Sequence, residues 1–156
     1  MAEEPLRRYW DSNVFIALIK DEANRGQTVS AILDRAERGE TEVLTSAFTL
    51  VEVVKTPDAA APLTDAEEAV VASYFHHAGV FVMPFALDTA QEARKLVWRH
   101  GLRVPDAIHV ASALRAGVHL LETYNGRLLR LAGEPELFSL RVREPTCEGQ
   151  PPPDLA

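Results

Sequence analysis

The chain has 156 residues, 47% of them hydrophobic, which is enough for one substantial core and short for two domains. No stretch approaches the roughly 18 consecutive apolar residues of a membrane-spanning helix, and no apolar segment typical of a secretory signal follows the start. The formal net charge of −7 argues against nucleic-acid binding through a generally positive surface. These features predict a soluble cytoplasmic protein without a membrane partner.

Short apolar runs alternate with segments of helical periodicity along the chain. Strands are predicted at residues 8–11, 41–46, 80–85, 118–125 and 136–142, the third being the most convincing buried strand. Helices are predicted at residues 12–20, 27–39, 65–78, 89–101, 104–117 and 126–133. Residues 47–55 are ambiguous, and residues 56–64 form a loop. Strands separated by helices predict a mostly parallel sheet covered on both faces.

Polar side chains recur where the predicted strands end. Asp11 ends the first strand, Glu52 lies after the second, Asp106 opens an Ala-rich helix, and Thr123 and Asn125 follow a later strand. Ligands of parallel sheets bind beyond the carboxyl ends of the strands, so Asp11, Glu52, Asp106 and Asn125 are expected to converge there. Taken singly, the two Asp residues also suit helix capping, and Glu52 also suits a solvated position on an amphipathic helix.

Convergent carboxylates repel one another and lose hydration, so a fold that keeps them needs a compensating charge. A divalent cation supplies it, and a set of oxygen ligands without His or Cys favours Mg²⁺ or Mn²⁺. Such an ion activates a water and stabilises charge on phosphoryl oxygens, which is the chemistry of metal-dependent nucleases.

The ordered set "DSNVFIALI", "TSAFTLVEVVK", "PDAIHVASAL" and "ETYN" resembles the PIN-domain ribonucleases, and in length and layout the VapC toxins of bacterial toxin-antitoxin pairs. The resemblance extends to about Val142. It implies a three-layer α/β/α sandwich, Mg²⁺- or Mn²⁺-dependent endoribonuclease activity on an RNA substrate, a homodimer, and a cognate antitoxin that blocks the active-site groove. We therefore expect a PIN-like nuclease domain at residues 1–143 and a Pro-rich, disordered tail at residues 144–156.

The resemblance also assigns the site residues. Asp11, Glu52 and Asp106 match the family's acids and are the expected metal ligands, and Ser12 and Thr123 match small hydroxyl residues beside the site. The fourth position, commonly Asp in the family, is Asn125, whose amide brings no charge and leaves one firmly held ion as the expectation. The alternative is a PIN-like module whose site has decayed into an RNA- or protein-binding surface.

Several neighbouring residues leave alternatives open. Glu122 could replace the carboxylate missing at the fourth position only if its strand ends one residue early. Neighbouring side chains of a strand point to opposite faces, which favours placing Glu122 on the face away from the site. His109, one helical turn after Asp106, suits either a substrate contact or a structural hydrogen bond. Arg99 and Arg103 belong to the densest basic run and are candidates for an RNA-binding rim, with Arg127 close behind Asn125.

Other phosphate chemistry finds less support. An aspartate-nucleophile phosphatase would have a second Asp at position 13, where this chain has Asn13. The chain also lacks a Gly-rich phosphate loop.

Overall fold

The computed structural model describes residues 4–20, 24–54, 62–133 and 139–147. Within these ranges the elements are β1 (Leu6–Trp10), α1 (Ser12–Lys20), α2 (Arg25–Glu37), β2 (Thr41–Ser46), α3 (Ala47–Glu52), α4 (Asp65–Phe75), β3 (Val80–Met83), α5 (Leu87–His100), α6 (Val104–Arg115), β4 (Leu120–Glu122), α7 (Gly126–Leu129), a short 3-10 helix (Arg130–Gly133) and β5 (Arg141–Arg143). None of these described helices has both the length and the apolar character needed to cross a bilayer.

The five described strands form one parallel sheet in the order β3-β2-β1-β4-β5. β1 lies at the centre, with β2 on one side and β4 on the other, so the direction in which the chain adds strands reverses beside β1. Tyr9 pairs with Leu44 and with Leu121 in register. This reversal leaves a crevice at the carboxyl ends of β1 and β4, which is where ligands bind in open parallel sheets.

Helices cover both faces of the sheet, because neighbouring residues of a strand point to opposite sides. Tyr9 belongs to the core cluster that contains residues of α5 and α6, whereas Trp10 belongs to the cluster that contains residues of α1 and α2. Both side chains are fully buried. The predicted three-layer α/β/α sandwich with a parallel sheet is therefore confirmed.

The strand prediction at residues 80–85 is right in kind and wrong in burial. β3 pairs only with β2 among the described strands, which places it at an edge, and Phe81 is 63% exposed. An apolar run is typical of any strand with one packed face, so strand order rather than composition decides the burial.

Two other predictions are refined. The ambiguous segment after β2 is the short helix α3, whose N-cap Ser46 accepts a hydrogen bond from the backbone N–H of Phe48. The strand predicted at residues 118–125 contains only Leu120–Glu122. Residue 55 of the ambiguous segment, residues 56–61 of the predicted loop and residues 136–138 of the predicted last strand lie outside the described residues.

The beginning of the predicted tail packs against the sheet. Fully buried Glu122 accepts hydrogen bonds from Arg8 Nη1 at 2.9 Å, from Trp10 Nε1 at 2.9 Å and from the backbone N–H of Thr146 at 3.3 Å. Arg8 Nη1 also donates to the carbonyl oxygen of Thr146, and Cys147 is buried. Packed structure therefore continues beyond residue 143, and residues 148–156 of the predicted tail lie outside the described residues.

Candidate active site

Asp11 lies between the end of β1 and the beginning of α1 and is 1% exposed. The backbone N–H of Val14, in the first turn of α1, stabilises its ionised carboxylate, as expected near a helix N-terminus. The hydroxyl of Thr123, just after β4, donates to its Oδ2 at 2.5 Å. The other oxygen, Oδ1, is buried and has no hydrogen-bond partner among the described residues. Helix capping therefore explains only part of the environment of this carboxylate.

The surroundings of Asp11 destabilise the ionised form of its carboxyl group. Burial raises its pKa from 3.8 to about 6, and the negative charge of Glu52 adds to that rise. The charge of His109 and the hydrogen bonds from Thr123 and Val14 lower the pKa without cancelling the rise. Strongly shifted carboxyl groups in a crevice are typical of functional sites, because stability alone does not favour them.

Asp106 lies in the first turn of α6, where the N-cap is Arg103 and Pro105 occupies an early helical position. It is 6% exposed, and both of its oxygens have partners. Asn125 Nδ2 donates to Oδ1 at 3.1 Å, and Arg127 Nε donates to Oδ2 at 3.1 Å. The fourth family position therefore contacts the third acid directly.

Thr123 connects the two acids. Its hydroxyl donates to Asp11 and accepts the backbone N–H of Asn125 at 2.9 Å, and the Asn125 side chain in turn reaches Asp106. Ser12, the first residue of α1, is buried next to Asp11. The structure thus brings Asp11, Thr123, Asn125 and Asp106 together through hydrogen bonds, although up to 114 positions separate them.

Glu52 enters the site at the end of α3, and its partner is His109 of α6. His109 Nε2 lies 2.5 Å from Glu52 Oε1, and the hydroxyl of Tyr9 lies 2.8 Å from His109 Nδ1. His109 is 3% exposed, whereas the Glu52 side chain is 23% exposed. Hydrogen bonds through buried His109 therefore link Tyr9 of the central strand to the partly exposed carboxylate of Glu52.

His109 has a partner at each of its ring nitrogens. Burial raises the pKa of the Tyr9 phenol well above the ordinary value, so the hydroxyl next to Nδ1 keeps its proton. A carboxylate only accepts hydrogen bonds, so Nε2 donates to Glu52. This arrangement satisfies both ring nitrogens and fixes the orientation of the carboxylate.

The residues present fit a divalent cation incompletely. Within the described ranges, no group of three or more His, Cys, Asp or Glu side chains is arranged to hold a metal. The reason lies in the contacts above: Asp106 is bonded to Asn125 and Arg127, and Glu52 is bonded to His109. The unpartnered Oδ1 of buried Asp11 and the oxygen-only donor set do suit Mg²⁺ or Mn²⁺. The predicted ligand set of Asp11, Asp106 and Glu52 stays a prediction.

Two sets of predicted neighbours lie apart from this hydrogen-bonded group. Glu122 points to the opposite face, as strand alternation predicts, and pairs with Arg8. The guanidinium of Arg99 lies over the ring of exposed Trp98, 4.8 Å from its centroid. No hydrogen bond or ion pair between described residues joins Arg99 or Arg103 to the site acids. Their predicted substrate contacts remain untested.

Sequence reasoning left two site contacts unresolved. It left the role of His109 open, because Tyr9 and Glu52 lie 100 and 57 positions away from it. It noted Arg127 only as a nearby basic residue, although Arg127 is bonded to Asp106. The only sequence feature that pointed to this contact was that Arg127 lies two positions after Asn125.

Residues 8–134 match the family described as PIN domain. The chain therefore belongs to the PIN-domain family, as the resemblance of its motifs predicts. A comparison with curated proteins gives no match.

Solved structures agree with this fold. VapBC2 from Rickettsia felis, bound to a DNA fragment from its promoter, superposes with a TM-score of 0.62 at 13% identity, covering 89% of this chain and 98% of that one. VapC20 from Mycobacterium tuberculosis, a toxin that cleaves the sarcin-ricin loop, gives 0.60 at 17% identity, covering 76% and 90%. VapBC-1 from nontypeable Haemophilus influenzae gives 0.58 at 14% identity, covering 89% and 98%. At these identities the likeness establishes a shared fold.

Proposed function

We propose that this protein is a divalent-metal-dependent endoribonuclease, the VapC-like toxin of a toxin-antitoxin pair. Membership of the PIN-domain family supports a nuclease, and the neighbouring VapBC structures support a toxin. The same neighbours support a cognate antitoxin as the inhibitory partner. A homodimer and a cytoplasmic location belong to the same proposal.

The observation that carries the proposal is the buried, unpartnered Oδ1 of Asp11. A carboxylate that served only as a helix cap would gain nothing from a second oxygen buried without a protein donor, because such a group costs free energy. A cation at this oxygen removes that cost. Placed in the crevice where β1 and β4 end, the cation would also meet a substrate phosphate.

Each residue of the site would have a distinct role. Asp11 and Asp106 would hold Mg²⁺ or Mn²⁺, and Glu52, held by His109, would complete the acidic group. When bound, the ion would neutralise charge that develops on the phosphoryl oxygens and acidify the attacking water. Arg127 donates to Oδ2 of Asp106 and would compete with a cation for that oxygen. Asn125 would contribute its amide without charge, so the proposal includes one firmly held ion.

Metal-dependent cleavage of total cellular RNA is the first test. Purified protein should give discrete fragments with Mg²⁺ or Mn²⁺ and none with chelator, and Asp106→Asn should give none under either condition. The matched control is Asp34→Asn, which removes an exposed acid of α2 and should cleave like the wild type. Identical fragments from the Asp106 variant and the wild type would show that the assignment is wrong.

Asn125 favours a second candidate, a decayed PIN-like binding module. Its side chain is already occupied, since it donates to Asp106 and accepts the backbone N–H of Arg127. Calorimetric titration with Mn²⁺ distinguishes the candidates. An intact site should bind Mn²⁺ and lose binding in Asp11→Asn, whereas folded wild-type protein that neither binds Mn²⁺ nor cleaves RNA would support the decayed module.

His109 should act by positioning Glu52. His109→Ala removes the donor to Glu52, and we expect a drop of about 10- to 100-fold in Mn²⁺ affinity or cleavage, as when the hydrogen-bonded partner of a metal ligand is removed. His109→Gln keeps an N–H donor near the Nε2 position and should recover part of the loss. Mn²⁺ titration and cleavage rates measure the effect.

Thermal unfolding of both His109 variants separates positioning from folding. If the two variants lose equal stability but only His109→Gln recovers Mn²⁺ affinity, the hydrogen bond to Glu52 is responsible. Equal affinity in the Ala, Gln and wild-type proteins would assign His109 to the core alone.

A further inference from the structure

A cavity of about 330 Å³ opens beside the candidate site, between the far end of α1 and the segment that follows β4. Its polar lining consists of Asn13, Lys20, Arg25, Tyr124, Asn125 and Arg127, over two apolar residues of α1. The cavity and the site share a wall, because Asn125 lines the cavity and donates to Asp106. A ligand in this cavity would therefore be a neighbour of a group bound at the carboxylates.

The lining is positive in an otherwise acidic protein. Lys20, Arg25 and Arg127 are cationic, and none of the described lining residues is Asp or Glu, whereas the whole chain carries −7. Arg127 pairs with Asp106 of the site, and Lys20 and Arg25 add two further cations to the lining. Cations grouped in a concave surface concentrate anions there.

Arg25 is held in position by an aromatic ring. Its guanidinium carbon lies 4.5 Å from the centroid of the Tyr124 ring, a cation–π contact. Tyr124 is fixed in turn by the chain, since it stands between Thr123 and Asn125, both hydrogen-bonded within the site. An Arg oriented beforehand loses less side-chain entropy when it binds an anion than a freely moving one.

We propose that this cavity binds a backbone phosphate of RNA next to the phosphate that is cleaved. This inference rests on the proposed function and extends it to a substrate subsite. Lys20 provides a point charge, Arg25 provides paired N–H donors that match phosphate oxygens, and Asn13 adds an amide donor. The subsite thus holds the RNA strand while the adjoining carboxylates act on its neighbour.

The salt dependence of RNA binding tests the subsite. Full-length protein is titrated in chelator, where no cleavage occurs, into a fluorescent single-stranded RNA of mixed sequence, and the dissociation constant is followed over a range of salt. Lys20→Gln and Arg25→Gln should each weaken binding several-fold and lower the slope of log K against log salt by about 0.7 to 1. The control is Arg141→Gln, at the first residue of β5 and so at the amino-terminal end of the parallel sheet, and its slope should be unchanged.

The outcomes separate this inference from the proposed nuclease. If the slope falls in both variants but the wild type cleaves no RNA with metal, the subsite stands and the nuclease assignment fails. If the wild type cleaves RNA and the variants keep its slope, or if metal-free wild type binds no RNA, the subsite is wrong. If the two variants lose binding to an acidic partner protein but keep the wild-type salt dependence of RNA binding, the subsite is also wrong.

Discussion

Asp11→Asn is expected to abolish metal-dependent RNA cleavage, with a loss of about a thousand-fold or more. The amide keeps the shape of the side chain and its capping role but removes the charge that holds the ion. Stabilisation of transition-state charge by a metal is worth several kcal/mol, and each 1.36 kcal/mol corresponds to about a factor of ten in rate. Single-turnover cleavage of the RNA identified with the wild type measures the loss.

The same substitution should stabilise the metal-free protein at neutral pH. In the unfolded chain Asp11 loses its proton near pH 3.8, whereas in the folded chain it keeps the proton up to about pH 6. Between these values the folded state binds more protons, so stability falls as pH rises. The cost is absent below about pH 3.8 and complete above about pH 6, where it reaches about 3 kcal/mol.

Urea denaturation in chelator at pH 4.5 and pH 7.5 measures this cost. The Asn variant should be more stable than the wild type by only about 1 kcal/mol at the lower pH and by up to about 3 kcal/mol at the higher pH. Asp34→Asn should show no such pH-dependent difference. A variant that is less stable at pH 7.5, or a difference that does not change with pH, would contradict the assignment of the cost to Asp11.

Glu122→Gln is expected to destabilise the fold by about 3 to 5 kcal/mol, the usual effect of removing one partner from a buried ion pair. Arg8, 1% exposed, would keep its charge without the carboxylate that accepts two of its hydrogen bonds. The Trp10 indole N–H would also lose a charged acceptor. Urea denaturation at pH 7.5 gives the change in the free energy of unfolding.

A double variant provides the control for Glu122→Gln. Arg8→Met combined with Glu122→Leu removes both charges and fills the space with apolar atoms, which often costs little. It should therefore be more stable than Glu122→Gln. If Glu122→Gln costs less than about 1 kcal/mol, the buried pair does not have the importance inferred here.

The sequence was sufficient to predict that Asp11 and Thr123 lie close together. The rule that parallel strands end at one edge predicts the proximity of Asp11 and Thr123, and the hydrogen bond between them confirms it. Strand alternation correctly separates Glu122 from its neighbour Thr123. These successes depend on local geometry that a few residues determine.

What the sequence could not predict depends on strand order and on distant partners. The edge position of β3 follows from how the strands are arranged, which its apolar composition does not encode. Arg127 and Lys20 line one cavity although 107 positions separate them, so only the folded chain reveals a joint role. The densest basic run in the sequence drew attention to Arg99 and Arg103 instead, since linear density ignores the direction in which each side chain points.

Three consecutive residues, the last two of β1 and the residue that follows it, connect to three separate parts of the molecule. Tyr9 is hydrogen-bonded to His109 on one side of the sheet, and Trp10 donates to Glu122 on the other side. Asp11 lies buried at the crevice where β1 and β4 end. A deletion or insertion of a single residue in β1 would exchange the two faces and displace the acid at once. This short segment therefore leaves little room for protein engineering, and changes of substrate preference are better sought in the helices and loops around it.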